Sequence, residues 1–269
     1  MNFKCLFCGA LITLYVGVAE AVNYVPENIS ASISLKVPGL NLQQLGNNRS
    51  SYLLEASESI PVTITQRVAD VNGKLRVNVC ITALEDIYFN YSQRLSTGYR
   101  HDDCQFYMPG FWYRRNLRSP KDAPSFHSSD SWLVREDRLS APLTGVYSEK
   151  EKHFVTVSRI DKFAEEALST HREGEIILSG KTSLGFTGFE NQDGITALSF
   201  GFPYREAPKS YIRKLTLAPA VEAFQFLKKG ETVLLTWEIQ ENKADDYSDF
   251  ICHAWEYSYD TYGPKPVET

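Results

Sequence analysis

From Lys74 to Ala83 every second residue is apolar: Leu75, Val77, Val79, Ile81 and Ala83 share one face, while Arg76, Asn78 and Thr82 fall on the other. That period of two belongs to a half-buried strand, because successive side chains leave an extended backbone on opposite sides. Asn72-Gly73 separates this run from Arg67–Val71. An Asn-Gly pair between alternating runs predicts a hairpin, since both central turn residues take positive φ. The same alternation runs through Ile29, Ala31, Ile33, Leu35 and Val37 and returns at Ile60, Val62 and Ile64. Further strands are expected over Asp86–Tyr91, Phe154–Ile160, Glu175–Ser179, Thr196–Phe202, Tyr211–Leu217 and Thr232–Ile239. Many short strands with turn residues between them predict an all-β fold, a large antiparallel β-sandwich. Asp161–His171, with Phe163, Ala167 and Leu168 on one side, is a candidate short helix.

Two segments break the pattern. Residues 98–142 carry Pro109, Pro120, Pro124 and Pro142 with little periodicity, and predict a long irregular insert. Loops of that length inside a domain are functional or disordered, and the aromatic content is too high for disorder. At the C-terminus Ile251, Ala254, Trp255, Ser258, Tyr259 and Tyr262 fall on one helical face. Asp245, Asp246 and Asp249 mark its start and Gly263-Pro264 its stop. The expected organisation is therefore a leader over 1–21, a sandwich over 22–243, and a linker helix and tail over 244–269.

The leader reads as a secretory signal: Lys4, an apolar run from Cys5 to Val18, and Ala19-Glu20-Ala21 as cleavage site. It is short for a membrane span, which takes ~20 apolar residues, so the mature chain is expected to be secreted or periplasmic and off the membrane. About 250 residues remain, compatible with one large all-β domain or two small ones. The formal charge of −5 argues against a nucleic-acid partner. Cys80, Cys104 and Cys252 remain after the leader, an odd set that defines no disulfide framework. Sequons stand at Asn28, Asn48 and Asn90.

Self-contained catalytic signatures are missing: there is no GxSxG, HExxH or EF-hand loop. Gly174 and Gly180-Lys181-Thr182 imitate a phosphate loop with one residue too many between the glycines. The five histidines lack ligand spacing, and no metal or cofactor is expected. What stands out is the insert, where Phe111-Trp112-Tyr113, Phe126 and Trp132 alternate with Arg114, Arg115, Asn116, Arg118, Arg135, Glu136, Asp137 and Arg138. Rings cover the apolar faces of a sugar, and charged groups make the stronger hydrogen bonds to its hydroxyls. The candidate ligand-binding residues are Trp112, Arg114, Asn116, Trp132, Arg135 and Asp137. The competing reading is a structural loop whose Arg and Asp side chains satisfy each other, with the tryptophans in the core. Glu136 and Asp137 are adjacent and point apart, so they are not a facing glycosidase pair.

The stretch PGFWYRRNLRSP…APSF…SDSWLVREDRLSAPL, with HAWEYSYDTYGPKP later, resembles the amino-terminal region of large exported bacterial proteins similar to six-hairpin glycosidases. In that family a β-supersandwich precedes an (α/α)6 barrel. The resemblance implies that the sandwich contributes loops beside a sugar cleft, that acid and base come from the barrel, and that the C-terminal helix docks on it. This chain stops at Thr269, where the barrel is expected to start. The reading is a non-catalytic or cleft-completing carbohydrate-associated domain. The alternatives are a complete carbohydrate-active hydrolase or lyase with its site in the insert, or a structural interaction module.

Overall fold

The computed structural model describes residues 15–16, 28–36, 50–53, 60–120, 123–161, 170–173, 176–213 and 216–263. They form two sheets and a C-terminal helix. The first sheet runs, in spatial order, β1 (Tyr15–Val16), β4 (Val62–Val71), β5 (Lys74–Ala83), β18 (Thr232–Lys243), β11 (His153–Arg159), β10 (Leu143–Ser148), β7 (Cys104–Met108) and β8 (Trp112–Arg114). The second runs β12 (Thr170–Glu173), β13 (Ile176–Ser179), β17 (Thr216–Leu227), β16 (Arg205–Arg213), β9 (Trp132–Arg135), β14 (Phe186–Gln192), β15 (Ile195–Phe202), β6 (Ile87–Arg100), β2 (Ile29–Lys36) and β3 (Ser50–Leu53). Pairing is antiparallel except at β1–β4 and β13–β17.

The expected hairpin is present. Val71 pairs with Lys74, and Asn72 and Gly73 take φ of 57° and 78°. Leu75, Val77, Val79, Ile81 and Ala83 all turn inward. They meet Ile33, Phe89, Leu198 and Phe200 of the facing sheet in one core that also holds Trp237 and Val155. A second, outer layer lies on the other face of the first sheet. There Tyr107, Leu143, Tyr147 and Phe154 pack against Tyr247, Phe250, Ala254 and Tyr257 of α1 (Tyr247–Tyr262).

Several expectations need correction. Tyr211–Leu217 is not one strand but the end of β16 and the start of β17, which fold back on each other. Period two cannot see a reversal when the pattern continues on both sides of it. Thr170 and His171 lie in β12, so the candidate helix over 161–171 does not reach its expected end. Residues 162–169 lie outside the described residues, as do the expected leader apart from Tyr15–Val16 and the tail after Gly263. The insert is less irregular than expected: β7, β8 and β9 lie within it.

The buried stripe of α1 is also rotated from the predicted face. Tyr247, Phe250, Ala254 and Tyr257 are buried, while Trp255 and Tyr259 are 54% and 64% exposed. This helix is aromatic nearly all round, so two stripes satisfy the 3.6 period and packing chooses between them. Asp246 accepts hydrogen bonds from the Ser248 and Asp249 amides, and Gly263 closes the helix in the left-handed region at φ 51°. Among the described residues no helix is long and apolar enough to cross a membrane.

Candidate functional site

The six predicted binding residues do not converge. Trp112 on β8 and Trp132 on β9 are 0% and 1% exposed, with ring centroids 5.9 Å apart. Both belong to the core between the sheets, where Trp112 also packs against Phe126 and Phe189. Their indole nitrogens donate to the Arg114 and Ser129 carbonyls, at 2.9 and 3.0 Å. Neither ring offers a face to a ligand, which corrects the stacking role expected of them. The reason is topological: β8 belongs to one sheet and β9 to the other, so the insert passes between the layers and its rings fill the gap.

Arg114 ends β8 and Asn116 lies two residues beyond it, with positive φ of 55° and 49°. The Arg114 amide donates to the Tyr247 hydroxyl at 2.8 Å and its guanidinium lies over that ring, fastening the insert to α1. Asn116 accepts from the Tyr113 amide and donates to the Phe111 and Pro124 carbonyls. Arg135 and Asp137 pair with each other in a fork, over the Tyr204 ring. The self-satisfied reading therefore describes this pair.

Between them lies Glu136, weighed in the sequence only as half of a carboxylate pair with Asp137. Glu136 is sealed from solvent, and its Oε2 accepts from Arg159 Nη1 and the Gly185 amide, both at 2.8 Å. Arg159 also donates to the Ser183 carbonyl at 2.8 Å and to Asp161 at 3.0 Å. Burial pushes the Glu136 carboxyl up to about 7, against the opposing pull of Arg159 and the Gly185 amide. No ligand reaches it. The node joins β9, β11 and the approach to β14, and Tyr262 of α1 donates to the Arg159 carbonyl at 2.8 Å.

Accessible chemistry lies elsewhere, on the outer face of the second sheet. Antiparallel register aligns Ser30, Arg94, Ser199, Gly188 and Leu133 in one row across five strands. Ser32, Ser92, Gly201 and Phe186 form the next row. Side chains at one register point to one face, so each row is a continuous strip. Gly188 and Gly201 contribute no side chain, and a trough of about 130 Å³ opens along the strips. Its floor is Leu133 and Phe186; its rim is Ser30, Ser32, Ser92, Arg94, Glu190, Ser199 and Arg205. Arg94 donates to Glu190 at 2.9 Å, Ser199 also donates to Glu190, and Ser32 and Ser92 share a 3.0 Å hydrogen bond. The sequence signal for this site was the Ser alternation in Ser30–Ser34. It reads equally well as the solvated face of a strand until the partner strands are known.

Two other depressions are built differently. One lies under α1 between Tyr107, Pro109, Ser140, Trp255 and Tyr259, about 110 Å³ and walled by rings. The other is an open basin of about 490 Å³ where His153 Nδ1 stands 3.0 Å from the Tyr99 hydroxyl and 3.1 Å from Glu241. Burial lowers the pKa of His153 and raises that of Glu241.

No family model matches the chain. No curated protein matches it either. Among solved structures it is similar to the Slr1438 protein from Synechocystis sp. PCC 6803, with a TM-score of 0.36 and 9% identity over 65% of this chain and 53% of that one. It is also similar to a galactose mutarotase related enzyme from Lactobacillus acidophilus, with a TM-score of 0.34 and 13% identity over 66% of this chain and 61% of that one. The chain thus spans 53% and 61% of the lengths of these two structures, and likeness at this level assigns no activity.

Proposed function

We propose that this chain is an exported, carbohydrate-associated β-sandwich domain that holds saccharide on the outer face of its second sheet without cleaving it. The observation that carries this reading is the trough whose apolar floor, Leu133 and Phe186, is ringed by four serine hydroxyls, Arg94, Glu190 and Arg205. A sugar presents apolar C–H faces and many hydroxyls at once. A hydrocarbon floor with charge-assisted donors and acceptors around it answers both. The resemblance to the sandwich of six-hairpin glycosidases supports the same reading and extends it. In that frame Trp255 and Tyr259 face a helical barrel, and the acid and base belong to the barrel.

The test is calorimetric titration with a panel of neutral and acidic oligosaccharides. Binding is expected, and Arg94→Ala is expected to weaken it about tenfold or more, the worth of one charge-assisted hydrogen bond. Heat traces flat across the whole panel at millimolar ligand would end the carbohydrate reading.

A further inference from the structure

We propose that the trough selects an acidic saccharide and seats the carboxylate of a uronic acid on Arg205. The inference deepens the carbohydrate reading above and rests on it. Three charged side chains line the trough, and two of them cancel: Arg94 is paired with Glu190 at 2.9 Å. Arg205 is half-buried there, and among the described residues it makes no hydrogen bond or ion pair. Glu222 stands opposite it across the β16–β17 pairing and is engaged in contacts of its own, with no salt bridge between these two described residues. Glu206, the next acid in sequence, leaves the strand on the other face, where it binds Arg138 and Ser210.

Within the lining, Arg205 is therefore the one charged side chain without a hydrogen-bonded partner among the described residues, at a position shielded from water on one side. Charge complementarity calls for a monoanion. A planar guanidinium fork matches a carboxylate with two parallel hydrogen bonds, a fit that the single charge of lysine does not reproduce. The serine row supplies hydroxyl contacts beside that anchor. A uronic acid carries both features on one ring: a carboxylate at C6 and hydroxyls around the remainder. A neutral sugar would leave Arg205 covered but unpaired, which costs affinity instead of adding it.

The experiment compares trisaccharides of galacturonic, glucuronic and mannuronic acid with their methyl esters, which keep the shape and remove the charge. Titrations of the full chain are run at low and at 0.5 M salt, with a sulfated trisaccharide as an additional arm. At least one free acid is expected to bind tenfold or more tightly than its ester, with the difference shrinking at high salt. Arg205→Gln is expected to reduce acid affinity to that of the ester, and Arg205→Lys to recover only part. Thermal unfolding of both variants checks that they fold as the parent does. Equal affinity for acid and ester, an acid preference that survives Arg205→Gln, or preference for the sulfated sugar would each overturn the uronate assignment while leaving carbohydrate binding intact. Absence of binding by acids and neutral sugars alike would overturn both.

Discussion

Trp132 sits between the two sheets against Trp112, with its indole nitrogen bound to the Ser129 carbonyl. Replacing it with alanine removes the ring and leaves a cavity that a two-sheet core closes only partly. Trp132→Ala is therefore expected to lower stability by about 3–5 kcal/mol in urea unfolding. A surface stacking residue would cost almost nothing, so a change within 0.5 kcal/mol would contradict the burial. Glu136 makes a different prediction. Its carboxyl is raised from 4.5 to about 7 in the folded protein, so the native state holds this proton more tightly than the unfolded chain does. The contribution of Glu136 to stability is full below pH 4.5 and is lost as pH rises through about 7, with a slope no steeper than ~1.4 kcal/mol per pH unit. Urea midpoints of the parent and of Glu136→Gln, measured from pH 5 to 8, should converge at the acid end and separate at the alkaline end. Parallel curves would mean that Arg159 keeps the carboxylate ionised throughout. Asn90 shows how tertiary context overrides a local motif: its side-chain amide is buried and donates to the Pro203 and Ala223 carbonyls, so the fold as it stands has no room for a glycan there.

At the scale of elements, the hairpin and the helix respond to different levels of information. The Asn72-Gly73 turn is local: the two residues that tolerate positive φ at least cost occupy the two positions that require it. The ends of α1 are equally local, with Asp246 capping one and Gly263 the other. Its orientation is not. Phe250 is fully buried and touches the rings of Tyr107, Tyr147, Phe154 and Tyr247, and it fixes which stripe faces the sheet. Phe250→Ala should cost about 3–5 kcal/mol and loosen α1 before the sandwich melts. Hydrogen exchange would then show fast amides in 247–262 with β5 and β18 still protected. Uniform loss of protection would instead make the helix part of one cooperative unit with the core.

For the whole molecule, the exposed side of α1 has a consequence in solution. Trp255 and Tyr259 stand over the ring-walled depression that also includes Pro109 and Ser140, and together they form an apolar patch. The isolated chain is expected to self-associate through it, with an apparent mass by light scattering that rises with concentration. Trp255→Ser with Tyr259→Ser should restore a constant monomer mass; association unchanged in the double variant would place the contact elsewhere. The insert shows why so little of the candidate site was legible beforehand. Residues 98–142 cross from one sheet to the other, so the same aromatic density that resembles a sugar platform in the linear chain serves as filling between layers. The trough, by contrast, draws one to three residues from each of six strands, none distinctive alone. The sequence by itself determined the strand class, the hairpin turn and the ends of the helix, because period two, backbone sterics and capping act over a few neighbouring residues. Which strands lie side by side, and hence which serines, arginines and glycines share a face, was decided only by the tertiary structure. Register joins residues more than a hundred positions apart, and no local pattern encodes that distance.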